Sequence, residues 1–101
     1  MTSEAKTHFG WICTQVQGMK AEYKFHDARK WRFDFYHPPT KTAFEFEGIG
    51  SVKSRHTSIK GYTNDCEKYN EAQKMGIKVY RFTALNIHQL ADYLPKERLI
   101  Y

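Results

Sequence analysis

The chain has 101 residues, of which 41% are hydrophobic, 16% aromatic and 27% charged. This length allows one domain, residues 1–101, and the composition excludes a disordered chain, a fibre and a coiled coil. Sixteen Lys and Arg residues against eleven Asp and Glu residues give a formal net charge of +5, which favours a polyanionic partner such as nucleic acid.

Cysteine usage and apolar segments indicate where the protein works. Cys13 and Cys66 are the two cysteines, and neither lies in a Cys-x-x-Cys pair or among histidines at zinc-binding spacing. The N-terminus lacks the pattern of a signal peptide, and no segment approaches the roughly 20 apolar residues that span a bilayer. We therefore expect a reduced cytoplasmic protein with no structural zinc and no membrane partner.

The first part of the chain predicts a helix and then a strand. Apolar residues recur at helical spacing over residues 3–17. Over residues 31–36 aromatic and polar residues alternate, a pattern typical of a half-buried strand. The alternation predicts that Phe33 and Phe35 share one face and that Asp34 lies on the other.

A second strand follows after a short connection. Residues 37–41 contain two prolines, which interrupt a strand, and alternation resumes over residues 42–47. Phe46 belongs to the aromatic face, whereas Glu45 and Glu47 share the polar face. The two strands are predicted to form a hairpin.

A long basic segment separates this hairpin from a second helix. Residues 48–61 contain three glycines and are predicted to form a loop. Such a loop can contact the phosphates of a nucleic acid. Its basic side chains, when His is protonated, are Lys53, Arg55, His56 and Lys60.

The rest of the chain completes the predicted fold. Apolar spacing predicts a helix over residues 62–75 with Cys66 buried, a strand over 77–82 and a short helix over 85–94. An order of helix, strands, helix and strand predicts an α/β domain with a mixed central sheet flanked by helices.

Pairing of the two hairpin strands would bring three carboxylates together, those of Asp34, Glu45 and Glu47. Clustered carboxylates repel one another, and a hard divalent cation with oxygen ligands neutralises them. Mg²⁺ is the natural candidate, next to a basic loop that would bind phosphate. The alternative is that each acid is solvated or paired with a nearby cation such as Arg32.

Several blocks of the chain, in one order, carry a family resemblance. They are Trp31-Arg-Phe-Asp-Phe35, Thr42-Ala-Phe-Glu-Phe-Glu-Gly48, Ser54-Arg-His-Thr57, Lys60-Gly-Tyr-Thr-Asn-Asp-Cys-Glu-Lys-Tyr-Asn70 and Gly76-Ile-Lys-Val-Tyr-Arg-Phe-Thr83. The region from residue 20 to residue 85 resembles small PD-(D/E)XK nuclease-like proteins of phages and bacteria and, more distantly, very-short-patch repair endonucleases. The resemblance implies a restriction-endonuclease-like core of αβββαβ order that hydrolyses DNA phosphodiesters with Mg²⁺ or, as a substitute, Mn²⁺.

The resemblance also assigns residues. Asp34 matches the motif Asp and Glu45 matches the acidic residue of (D/E)XK, with the backbone carbonyl of Phe46 as a further metal ligand. Glu47 stands where the family has a Lys, and a carboxylate cannot supply the positive charge that this Lys brings to the attacked phosphate. Glu47 remains a candidate metal ligand, but the cation must come from elsewhere in the chain.

Three residues are candidates for the missing cation. His56 and Lys60 lie on the predicted loop, and Lys68 lies on the second predicted helix. We favour Lys68, because its long side chain could reach back over the strands. The alternative for Lys68 is a surface ion pair with Asp65, three residues earlier. His56 could also act as a general acid or base.

The sequence therefore predicts a metal-dependent DNA endonuclease, phage-encoded or bacterial, acting as a homodimer or as a nicking monomer. Two other hypotheses stay open. One is a nucleic-acid-binding module of the same fold with weak or no catalysis, and the other is an accessory protein of a phage or repair complex.

Overall fold

The computed structural model describes residues 4–48 and 58–95. Within these ranges the order of elements is helix, three strands, helix, strand. The bounds are α1 Glu4–Thr14, β1 Lys20–Lys24, β2 Arg32–His37, β3 Thr42–Phe46, α2 Ile59–Lys74 and β4 Lys78–Phe82, with 3-10 helices at Pro38–Thr40 and Ile87–Asp92. No helix in these ranges is long and apolar enough to cross a membrane.

The four strands form one mixed sheet in the order β1-β2-β3-β4. β1 with β2 and β2 with β3 are antiparallel, whereas β3 with β4 is parallel. The parallel pair needs a crossover connection, and α2 lies within it. The predicted α/β class with a mixed sheet is confirmed, and so is the hairpin, in which Phe35 pairs with Phe44.

β1 is an edge strand that no residue pattern predicts, although the αβββαβ order implied by the resemblance includes three strands before the second helix. All of its residues except the half-buried Tyr23 are exposed, so no apolar alternation marks it. It is held by backbone pairing with β2 and by the Tyr23 ring, which stacks on Tyr36 with 4.6 Å between the ring centroids. Pairing with a neighbour, rather than local pattern, defines this strand.

The sheet buries one apolar cluster on each face. The α1 side contains Phe9, Cys13, Val16, Phe44, Phe82, Leu90 and Leu94. The α2 side contains Phe25, Trp31, Phe33, Tyr36, Ala43, Ala72 and Ile77. Adjacent residues Ala43 and Phe44 of β3 belong to opposite clusters, as strand alternation requires. The face that carries Ala43 also carries Glu45.

The prediction that Phe33 and Phe35 share one face is wrong. Phe33 stacks on Phe25 in the α2-side cluster, whereas Phe35 packs edge-on against Phe9 on the α1 side. The change of face coincides with an irregularity opposite Asp34. Residues on both sides of Glu22 pair with β2, but Glu22 itself has a φ of 51° and does not pair. A left-handed residue lies outside the extended region of the backbone, so regular alternation does not continue through this part of the strand pair.

α2 begins earlier than the sequence pattern predicts. Ser58 caps the helix by accepting a hydrogen bond from the Gly61 N–H at 3.0 Å, and Ile59 is the first helical residue. Lys60 therefore lies in the first helical turn and not in a loop, which corrects its predicted placement. Lys53, Arg55 and His56 lie outside the described residues.

The buried face of α2 is also different from the predicted one. Cys66, predicted to be buried, is exposed, and Tyr62 is 57% exposed. The buried residues of this helix are Asp65, Lys68 and Ala72. Ala72 belongs to both the predicted and the observed face, but the apolar periodicity missed Asp65 and Lys68, because α2 packs ionisable groups against the sheet.

The two terminal segments differ in detail from their predictions. α1 ends at Thr14 rather than near residue 17, and the C-terminal helix is a 3-10 helix over Ile87–Asp92. β4 starts one residue later than predicted, at Lys78. Helix and strand ends are the least certain part of a pattern-based prediction.

Candidate active site

Two strands separate at the centre of the sheet, and acidic side chains bridge the gap. The β2–β3 ladder has its last pair at Phe35 and Phe44. Beyond this pair, the Asp34 N–H donates to Glu45 Oε2 at 2.9 Å, and the Phe46 N–H donates to Asp34 Oδ2 at 2.7 Å. Carboxylates thus replace the missing backbone partners, which brings the predicted pair Asp34 and Glu45 together.

The backbone of Phe46 faces the same gap. Glu47 donates its N–H to the Phe82 carbonyl at 2.7 Å, toward β4. Because successive residues of a strand direct their backbone groups to opposite neighbours, the N–H and C=O of Phe46 are directed toward β2. The Phe46 carbonyl, a predicted ligand, therefore lies on the side of Asp34.

Helix α2 adds two donors to the carboxylate of Glu45. Lys68 Nζ lies 2.9 Å from Glu45 Oε1, and the Tyr69 hydroxyl donates to the same oxygen at 2.6 Å. The side chains of Lys68 and Glu45 are only 10% and 7% exposed. Lys68 thus reaches from α2 to β3, and it is a buried residue rather than a surface one.

A buried ion pair of this kind adds little net stability, because desolvation offsets the attraction between the charges. Clusters of buried ionisable groups are instead typical of functional sites. The position of Lys68 beside a carboxylate pair is therefore informative about function.

The Glu47 carboxylate pairs with Arg81 rather than bridging the gap between β2 and β3. Arg81 Nε donates to Glu47 Oε2 at 2.9 Å, and the Arg81 guanidinium carbon stands 4.2 Å from the centre of the Tyr69 ring. No group of three or more His, Cys, Asp or Glu side chains arranged to hold a metal ion occurs within residues 4–48 and 58–95. Of the three predicted carboxylates, Asp34 and Glu45 are joined to each other's strands, and Glu47 is bound to Arg81.

Burial sets the protonation behaviour of the site. The pKa of Asp34 is raised, chiefly because burial disfavours its charged form; the bond from the Phe46 N–H opposes this shift, and the charge of Glu45 adds to it. Burial, followed by the charge of Glu45, also raises the pKa of Tyr69. Tyr69 therefore keeps its proton at neutral pH and remains a hydrogen-bond donor to Glu45.

The raised pKa of Asp34 predicts a pH-dependent effect of Asp34→Asn on stability. An Asp in an unfolded chain titrates near a pH of about 3.9. Above that pH the unfolded chain gains more from ionisation than the folded chain, so Asp34 costs stability as the pH rises. We expect Asp34→Asn to melt at or above the wild-type temperature at neutral pH, with the advantage shrinking as the pH falls toward about 3.9 and absent below that pH. Thermal melts in EDTA across pH 3–7 check this; an advantage that grows toward low pH contradicts it.

The oxygen atoms of the gap suit a hard divalent cation. Within the described part of the chain, Asp34 Oδ1 accepts no hydrogen bond. The oxygens of Glu45 accept three hydrogen bonds, and because a carboxylate has about four lone pairs, one lone pair of Glu45 is left for a cation. Mg²⁺ prefers carboxylate and carbonyl oxygens, and Phe46 directs a carbonyl toward the gap between β2 and β3. The donor set therefore fits Mg²⁺ or Mn²⁺.

Two residues of the site were missed by sequence reasoning. Tyr69 follows Lys68 directly, and its helical neighbours give no signal that its hydroxyl reaches a strand. Arg81 could have been found, because alternation in the predicted strand places it two residues from Val79, on the α2 side of the sheet. Its contact with Glu47 could not be predicted without knowing that β4 lies beside β3.

Comparison of the chain with protein-family models, with curated proteins and with solved structures gave no significant match. The functional assignment below therefore rests on the geometry and on the resemblance of motifs.

Proposed function

We propose that this protein is a metal-dependent DNA endonuclease built on a restriction-endonuclease-like core. One observation carries the proposal. The ammonium of Lys68 is buried 2.9 Å from Glu45, whose other carboxylate oxygen binds the backbone of Asp34 across the gap between β2 and β3. Two acids and one cation at a strand separation are the groups that phosphodiester hydrolysis needs.

Each group has a role in this proposal. Asp34, Glu45 and the Phe46 carbonyl hold Mg²⁺ or Mn²⁺, and Glu47 stays a secondary candidate ligand. The cation, when bound, stabilises negative charge on the phosphate and on the leaving oxygen. Lys68 supplies positive charge beside the attacked phosphate in place of the motif lysine. Tyr69 keeps Glu45 in a fixed orientation through its hydrogen bond.

The choice of DNA as substrate is supported by charge. A net charge of +5 and the basic residues before α2 favour a polyanion. One domain of this size covers few base pairs and has one proposed active site. Because cutting both strands needs two active sites, double-strand cutting would need a homodimer. The reduced cysteines are consistent with action in the cytoplasm of a host cell.

DNA affinity is expected to fall steeply with salt. Lys53→Ala, Arg55→Ala and Lys60→Ala should each weaken binding to unrelated sequences and lower the salt slope by up to about one unit per lost phosphate contact. Fluorescence anisotropy with a labelled duplex between about 50 and 200 mM salt measures the slope. Affinity that is independent of salt over this range contradicts the assignment of these residues to phosphate binding.

A nucleic-acid-binding module without catalysis is the second candidate, and one observation favours it. Glu45 already accepts three hydrogen bonds within the protein, so its charge is compensated without a metal. The Lys68–Glu45 pair could then be structural. An accessory protein of a larger complex is the third candidate and predicts no divalent-metal binding.

Calorimetric titration with Mn²⁺ tests the metal site directly. The proposal predicts saturable binding to the wild type that is lost in Asp34→Asn. Binding that is absent from the wild type, or that is unchanged in the variant, contradicts the proposed site. Cleavage of labelled linear, nicked, forked and four-way DNA in Mg²⁺ then identifies the preferred substrate.

A further inference from the structure

Arg81 lies directly beside the carboxylate pair. In the parallel β3–β4 ladder its Cα is the register partner of Glu45. Neighbouring strands lie ~4.8 Å apart, and residues in register direct their side chains to the same face. The Arg81 side chain therefore lies on the α2 side of the sheet, next to the proposed metal ligand.

The guanidinium of Arg81 is fixed by two contacts. Its Nε donates to Glu47 Oε2 at 2.9 Å, and its central carbon, Cζ, lies 4.2 Å from the centre of the Tyr69 ring. Tyr69 in turn donates its hydroxyl to Glu45 Oε1 at 2.6 Å. Ring contact and ion pair together hold the planar group in one orientation relative to Glu45.

The ends of this guanidinium remain available. Its side chain is 45% exposed. Among the described residues, only Nε of the group takes part in a hydrogen bond, so the two terminal amino groups have donors to offer. Arg29 differs in this respect, because its terminal nitrogens bind Glu67 and Asn64. Arg29 is used for internal structure, whereas Arg81 presents a fixed, outward fork of donors.

We propose that Arg81 binds the two non-bridging oxygens of a DNA backbone phosphate at the Asp34–Glu45 site, in a bidentate manner. The inference rests on the proposed endonuclease function and names the group that holds the substrate there. A planar guanidinium matches the geometry of a phosphate, and a preoriented one loses little conformational freedom on binding. Glu47 is then the residue that positions Arg81, which explains a carboxylate at the place of the motif lysine.

The experiment compares Arg81→Gln, Arg81→Lys and the control Lys78→Gln. Lys78 lies on the same strand, three residues away and therefore on the opposite face of the sheet. Replacing it with Gln lowers the net charge by the same amount as Arg81→Gln. Affinity for a labelled duplex is measured in EDTA, and kcat and KM are measured in Mg²⁺. Thermal melts confirm that each variant is folded.

We expect Arg81→Gln to weaken duplex binding about ten-fold, to lower the salt slope by about one unit, and to raise KM more than it lowers kcat. Arg81→Lys keeps the charge but not the fork, so it should recover only part of the affinity. If Arg81→Gln does not fold, Arg81→Lys carries the test, with a loss of about three-fold or more expected. Lys78→Gln should bind nearly as well as the wild type.

Glu47→Gln provides a readout that a purely structural Arg81 would not give. It removes the ion pair that orients the guanidinium, so its effect on duplex binding should be less favourable in the wild-type background than in Arg81→Gln, which has no guanidinium to orient. Equal effects in the two backgrounds, or equal affinities of Arg81→Gln and Lys78→Gln, overturn the inference. A wild type that binds DNA but never cleaves it overturns the endonuclease proposal instead, so the two failures are distinguishable.

Discussion

Lys68→Met is expected to lower the rate of DNA cleavage by about two orders of magnitude or more, while DNA affinity changes little. Lys68 Nζ lies 2.9 Å from Glu45 in a buried site, and in the proposed mechanism its charge acts on the attacked phosphate rather than on binding. Single-turnover cleavage and anisotropy measure the two quantities. Lys74→Met is the matched control, because Lys74 lies on the same helix with its side chain 75% exposed.

Loss of Lys68 also leaves Glu45 without its cation. Removing one partner of a buried ion pair costs about 3–5 kcal/mol of folding free energy in other proteins. Tyr69 and the Asp34 N–H still donate to Glu45, which limits this loss. Melting curves must therefore accompany the rates. If Lys68→Met is folded and cleaves normally while His56→Ala or Lys60→Ala does not, the cation role belongs to one of those residues.

Glu47→Lys, made in the Lys68→Met background, should restore part of the lost cleavage. This change recreates the family pattern, with an ammonium two residues after Glu45. The recovery should be incomplete, because Glu47 binds Arg81 at 2.9 Å and the new lysine would face that guanidinium. Cleavage rates of the single and double variants measure the recovery. Complete absence of recovery in a folded double variant counts against this placement of the positive charge.

Asp34→Asn and Glu45→Gln are each expected to abolish metal-dependent cleavage. Both changes replace a charged oxygen donor of the proposed metal site with a neutral amide, which binds a hard divalent cation much more weakly. Cleavage is measured in Mg²⁺ and in Mn²⁺ at matched protein concentrations. Near-normal activity of either variant under Mg²⁺ contradicts the assignment of the site.

The two changes differ in their effect on stability, and the structure revises the sequence expectation here. From sequence alone, both carboxylates lie on the polar strand face, and replacing either one relieves their mutual repulsion and leaves stability level or raised. The structure restricts this to Asp34. Glu45→Gln removes the counter-charge of the buried Lys68, so it should destabilise the fold. The double variant Glu45→Gln with Lys68→Met removes both charges and should recover stability while remaining inactive.

The hairpin and its acidic residues could be predicted because the information is local. Two-residue alternation on β3 separates Phe44 from Glu45, and a proline-containing connection separates the strands. Lys68 was one of three candidates for the cation. Chain order and side-chain length favoured it, but they did not determine which face of α2 packs on the sheet.

The edge strand β1 and the buried face of α2 could not be predicted, because both depend on contacts between segments that are distant in the sequence. β1 carries no apolar pattern and exists through pairing with β2. Cys66 was placed in the core by its apolar spacing, but α2 turns Asp65 and Lys68 to the sheet. Lys68 pairs with Glu45 on the sheet. A pattern of hydrophobic residues cannot predict that an ionisable side chain is buried through such a pair.

Cleavage of supercoiled plasmid DNA tests the central claim most directly. Wild-type protein and Asp34→Asn, purified identically, are incubated with plasmid in Mg²⁺, in Mn²⁺ and in EDTA. The account predicts conversion of the supercoiled form to nicked or linear DNA by the wild type in Mg²⁺ or Mn²⁺, and no conversion in EDTA or by Asp34→Asn. Conversion that persists in EDTA, equal conversion by the variant, or no conversion by the wild type on this or any structured DNA substrate contradicts it.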